Sequence, residues 1–161
     1  MKKSSVIVYL LGFLTIFYFM PSHLHADEKP GLSKGQNVYV PAYSHIYMGN
    51  KDRPFLLTVT LSIRNIDPKH PIKIMLVDYH ETLGNLLRKY IEKPITLNPL
   101  GSLRYIITEK DKTGGSGANF IVEWKSDTHV NPPIVETIMI STKGQQGISF
   151  TSRGQVIIPS N

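Results

Sequence analysis

Asp78, His80 and Glu81 are the residues in this chain best spaced to do chemistry. Two carboxylates flanking an imidazole can ligate a metal or move a proton. On a strand, however, Asp78 and His80 share one face while Glu81 points elsewhere unless a turn begins there. A zinc or calcium site would need further ligands from other strands, and His45 is the first candidate. The histidines downstream of position 26 are His45, His70, His80 and His129, and no two have a metal-ligand spacing on one element. The ordinary alternative is a solvated strand end.

A second stretch, Thr113-Gly-Gly-Ser-Gly-Ala-Asn119, has the composition of a phosphate loop. Such a loop needs a Lys-Ser/Thr pair leading into a helix. Here the lysine is missing and a strand pattern follows. A nucleophile elbow fails for the same reason: Ser116 has Gly114 before it but Ala118 after it. The stretch therefore reads as a hairpin tip that uses glycine for positive φ. No catalytic residue is assigned, and no cofactor is expected.

A third stretch, Tyr39-Val-Pro-Ala-Tyr-Ser-His-Ile-Tyr47, is dense in aromatic and polar groups. Tyrosine supplies stiff contact area with a hydrogen-bonding tip, as recognition surfaces require. Tyr39, Tyr43, His45 and Tyr47 are the candidate binding residues. The competing reading is an edge strand whose rings cover a sheet rim. As surface contacts, Tyr43 and Tyr47 would be removable with little loss of stability.

These residues must be positioned by strands. Leu57, Val59, Leu61 and Ile63 alternate with Thr58, Thr60, Ser62 and Arg64, a period of two. Asp67-Pro68-Lys69-His70-Pro71 is a turn. Ile72 to Tyr79 follows, with Ile72, Ile74, Leu76 and Asp78 expected on one face. Leu83-Gly84-Asn85 turns the chain back. Residues 102–109, 119–125, 134–141, 148–151 and 155–158 read as further strands, with another near Asn37 to Val40. A short helix over 80–90 competes, but Gly84 and the short length disfavour it. The expectation is an all-β chain: an antiparallel β-sandwich, immunoglobulin-like or fibronectin-like, of about eight or nine strands. Its core candidates are Phe55, Leu57, Val59, Leu61, Ile63, Ile74, Leu76, Ile106, Phe120, Val122, Trp124, Ile138 and Ile140.

The first 26 of the 161 residues have a different character. Lys2 and Lys3 precede an uncharged run from Val6 to Met20, then Pro21 and a small residue, Ala26. This is the layout of a secretory leader with cleavage after Ala26. The run of 15 residues is shorter than a spanning helix needs. Domain organisation is thus a leader at 1–26, a flexible lead-in at 27–36 and one domain at 37–161. Cleavage lowers the net charge from +6 to +4, spread without a basic block. That pattern gives no nucleic-acid footprint. With no cysteine, the chain has no thiolate nucleophile, lipoprotein thioether or Cys-ligated metal.

Four segments carry a family likeness: YVPAYSHIY (39–47), LTVTLSIRNIDPKHPI (57–72), GGSGANFIVEWKSD (114–127) and QQGISFTSRGQVI (145–157). Together they resemble the domain of unknown function 3124 family, small exported bacterial proteins. The resemblance implies export and a single domain, and carries no catalytic or ligand residue with it. Leu57–Asn65 followed by Asp67-Pro68 also resembles the strand-turn of immunoglobulin-like sandwiches. The functional expectation is an exported, non-catalytic binding or assembly module of the bacterial envelope, periplasmic or secreted. Its partner would be an envelope protein or a glycan, with no nucleic acid, and with membrane contact only through an uncut leader. The alternative is a small metal-dependent or hydrolytic enzyme using Asp78, His80 and Glu81.

Overall fold

Hydroxyl and aliphatic side chains alternate from Thr58 to Arg64, and pairing on both sides of this segment centres one sheet of the protein. The computed structural model describes residues 31–47, 52–142 and 147–157. The expected leader at 1–26 and its expected cut after Ala26 lie outside the described residues. The described chain contains no helix. In order, its strands are β1 (Ser33–Pro41), β2 (His45–Tyr47), β3 (Pro54–Leu56), β4 (Thr58–Arg64), β5 (Ile72–His80) and β6 (Leu86–Lys89). There follow β7 (Ile95–Leu97), β8 (Ser102–Ile107), β9 (Asn119–Val130), β10 (Ile134–Ser141), β11 (Ile148–Arg153) and β12 (Gln155–Ile157).

All the sheets are antiparallel. The larger runs β12-β1-β9-β5-β6, with β7 also on β5, and the smaller runs β11-β10-β4-β8. The pair β2-β3 stands apart. One buried cluster draws on both larger sheets, and its biggest members are Trp124, Tyr79 and Phe120. The chain changes sheet at Gly154, between β11 and β12. A Cβ there would sit 2.5 Å from Val38 Cγ1, so only glycine fits the corner.

The twelve strands exceed the expected eight or nine. The segment 55–65 is broken at Leu57, whose N–H leaves the ladder to donate to Ser44 O at 3.0 Å. The short strand β2 adds another. β1 begins at Ser33, within the stretch read as lead-in.

Three strands turn faces that differ from the alternation read off the sequence. In β5 the register with β9 shifts between Ile74 and Leu76. Such a bulge adds one residue and reverses the parity beyond it. Val77 and Tyr79 therefore join Ile72 and Ile74 inside, while Leu76 and Asp78 face outward. In β10 both faces carry aliphatics, and the register decides between them. Val135, Thr137 and Met139 lie opposite the buried Ile63, Leu61 and Val59, and opposed residues share a face. Ile140 is consequently 43% exposed and Ile138 half-buried. In β8, Ile107 is buried and Ile106 is 50% exposed. Of the other core candidates, Phe55 packs only partly against the cluster. Leu57, Val59, Leu61, Ile63, Ile74, Phe120, Val122 and Trp124 are fully buried.

Thr137 enters the core because its hydroxyl donates to Pro41 O of the facing sheet. A larger polar knot closes one end of the molecule. The Asn65 amide nitrogen donates to His70 O, Leu97 O and Asn98 O, and its Oδ1 accepts the Asp67 N–H. Asp67 Oδ1 accepts the N–H groups of Lys69 and His70 and lies 3.1 Å from His70 Nδ1. Asp67 Oδ2 accepts the backbone and side-chain N–H of Asn131. Both residues are nearly inaccessible, yet every carbonyl and N–H they meet is paired, as burial demands.

The Lys69 N–H, followed by those of His70 and Asn131, holds the Asp67 carboxyl well below the usual carboxylate range against the opposing effect of burial. A depressed folded value makes a contribution that is complete above the unfolded pKa and is lost as pH falls toward the folded one. Asp67→Asn is therefore expected to melt below the parent at pH 7, with the gap steady down to about pH 4 and narrowing below it. A gap that stays constant below about pH 4 would contradict the assignment. Met139→Ala is expected to cost about 2–5 kcal/mol in urea unfolding, and Ile140→Ala about 0.5 kcal/mol or less. The reverse order would place β10 in the other register.

Candidate binding face

The register of the larger sheet brings together residues that sequence reading kept apart. Tyr39 lies opposite Gln155 on β12 and Ile121 on β9. Ile121 lies opposite Asp78, and Asp78 opposite Lys89. All five belong to one outward row, because opposed residues share a face. The next row holds Ile157, Asn37, Glu123 and Leu76. On the other side, Pro41, Asn119 and His80 continue the grid. Tyr39 from the aromatic set and Asp78 from the carboxylate set thus stand on the same surface with one residue between them.

A cleft of about 570 Å³ takes in the row of Ile157, Asn37 and Glu123, next to that of Tyr39. Asn37, Glu123, Lys125, Asp127 and Ile157 contribute to its lining. It opens where the register between β1 and β9 jumps from Ser33↔Val130 to Gly35↔Lys125, which arches residues 126–129 away from β1. Gly35 is required there, since a Cβ would lie 2.8 Å from Trp124 O. Three of the cleft's charges are paired: Lys125 Nζ with Glu123 at 2.8 Å within the lining, and Asp127 with Lys73 Nζ, from outside it, at 3.2 Å. Exposed pairs of this kind contribute little stability and leave polar groups free to exchange partners.

The remaining aromatic candidates sit elsewhere. Tyr43 packs edge-on against Phe150, with ring centroids 5.9 Å apart, and against the buried cluster. Tyr47 is 55% exposed on the β2-β3 pair. His45 Nε2 and Tyr47 Oη are 3.3 Å apart, with the rings edge-to-face. The structure therefore places Tyr39 on the sheet face, Tyr43 against the core, and His45 with Tyr47 on the small pair.

The carboxylate–histidine set also divides. Asp78 and His80 share the outward face of β5. The Glu81 carboxylate turns back to accept the N–H groups of Leu83 and Asn85 and the Asn85 amide. Those bonds, the Leu83 N–H foremost, hold its carboxyl below the usual range. Glu81 thus caps the Leu83-Gly84-Asn85 turn, where Gly84 has φ of +90°. Among the described residues, no three His, Asp or Glu side chains converge to hold a metal.

The glycine-rich stretch proves to be a packed lid. Gly114 lies directly on the Tyr79 ring, where a Cβ would overlap the phenol. Thr82 N and Oγ1 both donate to Gly114 O at 3.0 Å, and Thr82 Oγ1 accepts the Gly117 N–H. Of these glycines Gly115 has positive φ, +77°. The Tyr79 hydroxyl pairs with buried Ser44 at 3.0 Å, and burial pushes its phenol above the ordinary value. Beside it, Tyr90 stacks on Phe120 and Tyr105, and Arg88 lies over Tyr90 while pairing with Asp111.

The fold defines an all-β protein of antiparallel sheets whose most developed surface feature is a sheet face rather than an enclosed chamber. The chain belongs to the family described as Protein of unknown function (DUF3124), whose profile matches residues 35–157. No curated protein matches the chain. A solved structure described as "Crystal Structure of Thermotoga maritima 1070" aligns with 77% of this chain and 96% of its own, at 13% identity and a TM-score of 0.44.

Asn37, Glu123 and Lys125 escaped the sequence reading as site residues. The outward parity of Glu123 and Lys125 was visible against Phe120, Val122 and Trp124, and Asn37 stands two residues before Tyr39 on β1, but the placement of Glu123 beside Asn37 depends on pairing between distant strands. The packing of Tyr43 gives a direct check. Tyr43→Ala is expected to cost about 2 kcal/mol in chemical denaturation, and Tyr47→Ala about 0.5 kcal/mol or less. Equal costs would mean that the Phe150 contact does not hold Tyr43.

Proposed function

We propose that the chain is an exported, non-catalytic binding module of the bacterial cell envelope, built as an immunoglobulin-like sandwich. The leader pattern of residues 1–26 supports export to the periplasm or the medium. The pairing of β4 with β8 in one sheet and β5 with β9 in the other supports the immunoglobulin-like reading. The flanks are exchanged relative to that plan. β1 lies beside β9, and β10 lies beside β4.

The observation that carries the binding role is the outward row Tyr39–Ile121–Asp78 beside the 570 Å³ cleft. Tyr39 is 37% exposed and offers an aromatic platform. Asn37, Glu123 and Asp78 add planar hydrogen-bonding groups around it. An aromatic surface ringed by amides and carboxylates suits a glycan hydroxyl array or a polar protein segment.

The test uses purified mature protein and the insoluble envelope fraction, with the retained share read after sedimentation. Tyr39→Ala is expected to lower apparent affinity about fivefold or more, the loss typical of a contributing interface aromatic. Its melting temperature should stay within about 2 °C of the parent. Equal retention of parent and variant would remove the face from consideration.

A further inference from the structure

The outward face of the smaller sheet carries a separate group that none of the preceding argument uses. The register of β4 with β8 sets Ser62 opposite Arg104 and Arg64 opposite Ser102. Two arginines thus occupy one diagonal of a four-residue patch, and two serines occupy the other. Diagonal neighbours in an antiparallel pair lie about 7 Å apart, within easy reach of two guanidinium groups. The intervening Ile63 is buried and Leu103 packs on the core, which turns the quartet to the outer face, where Ser62 is nearly covered and the other three are exposed.

Arg64 Nε donates to Ser62 Oγ at 3.2 Å, which anchors one edge of its guanidinium and leaves the terminal nitrogens. Among the described residues, no carboxylate lies within ion-pair distance of Arg64 or Arg104. The carboxylate nearest in register is Glu136, opposite Ser62, and Glu136 itself faces Arg153 on its other side. A depression of about 170 Å³ opens between the two arginines, floored by Thr60, Ser62 and Ile138. At about 30 Å³ per water, it holds a small oxyanion and its nearest waters.

Like charges on adjacent strands cost stability unless something answers them. An edge strand such as β8 uses charge to deter pairing with other chains, but one charge suffices for that. Two forks and two hydroxyls around one depression go further. They present donors from several directions, which matches a tetrahedral anion better than a planar carboxylate, since one arginine alone can satisfy the latter. We propose that Arg64, Arg104, Ser62 and Ser102 form a binding site for a phosphate oxyanion, either free or as a monoester.

The site lies on the opposite sheet from the Tyr39 row and stands or falls independently of it. The test is an amide-resolved NMR titration of mature protein at constant ionic strength, with inorganic phosphate, methyl phosphate and acetate as probes. The expected result is saturable shifts centred on Ser62, Arg64, Ser102 and Arg104 with either phosphate, weakened about tenfold or more in Arg104→Gln. Arg104 is exposed, so that variant should melt with the parent. Tighter binding of methyl phosphate would assign a monoester source, and tighter binding of inorganic phosphate the free anion. Equal response to acetate, shifts that never saturate, or unchanged affinity in both Arg64→Gln and Arg104→Gln would overturn the proposal.

Discussion

Everything at one end of the molecule depends on the mutual satisfaction of buried polar groups by Asn65 and Asp67. Here the chain leaves β4 for β5, returns from β7 to β8, and passes from β9 to β10. Each crossing brings carbonyl and N–H groups out of their ladders while keeping them away from water. An unpaired group in such a place costs about 1–3 kcal/mol. Two short side chains answer seven backbone groups between them. The Asn131 bond to Asp67 ties the third crossing to the first, 64 residues away in sequence. Leu100, held at φ of +58° in the same knot, shows that the backbone there yields to these bonds.

With that end fastened, the two sheets present two unlike outer faces. The larger is aromatic and amide-rich beside a cleft whose charges are mostly paired. The smaller is basic, with arginines that lack acidic partners among the described residues. The contrast follows from strand parity. Each strand sends one alternate set inward, and cross-strand register decides which outward residues become neighbours.

Much of the fold was legible in the chain. The two-residue period of 57–64, the Asp67-Pro68 turn and the Gly84 turn all follow from local geometry, and each is present. Errors arose where local patterns were degenerate. In β10 aliphatics occupy both faces, so alternation offers no preference until β4 is placed beside it. In β5 the bulge at Met75 breaks the period without a sequence mark as strong as glycine or proline. Of the candidate site residues, the shared face of Asp78 and His80 was readable from spacing, but simple alternation put Asp78 on the side of Ile72 and Ile74, and only the bulge turns it outward. The withdrawal of Glu81 into its own turn, and of Tyr43 onto Phe150, was not readable.

The sequence alone determined what depends on near neighbours: strand-forming periods, turn chemistry, a thiol-free interior and a leader-like beginning. Tertiary structure alone decided what depends on distant pairing. It set Tyr39 and Asp78, 39 positions apart in sequence, on either side of Ile121, and Arg64 diagonal to Arg104, 40 positions further on, through hydrogen-bonded registers between strands. Backbone ladders carry no side-chain label, so a shift of one residue reverses every face. The choice among registers belongs to the packed core as a whole, where Trp124, Phe120 and Tyr79 fit together in one arrangement.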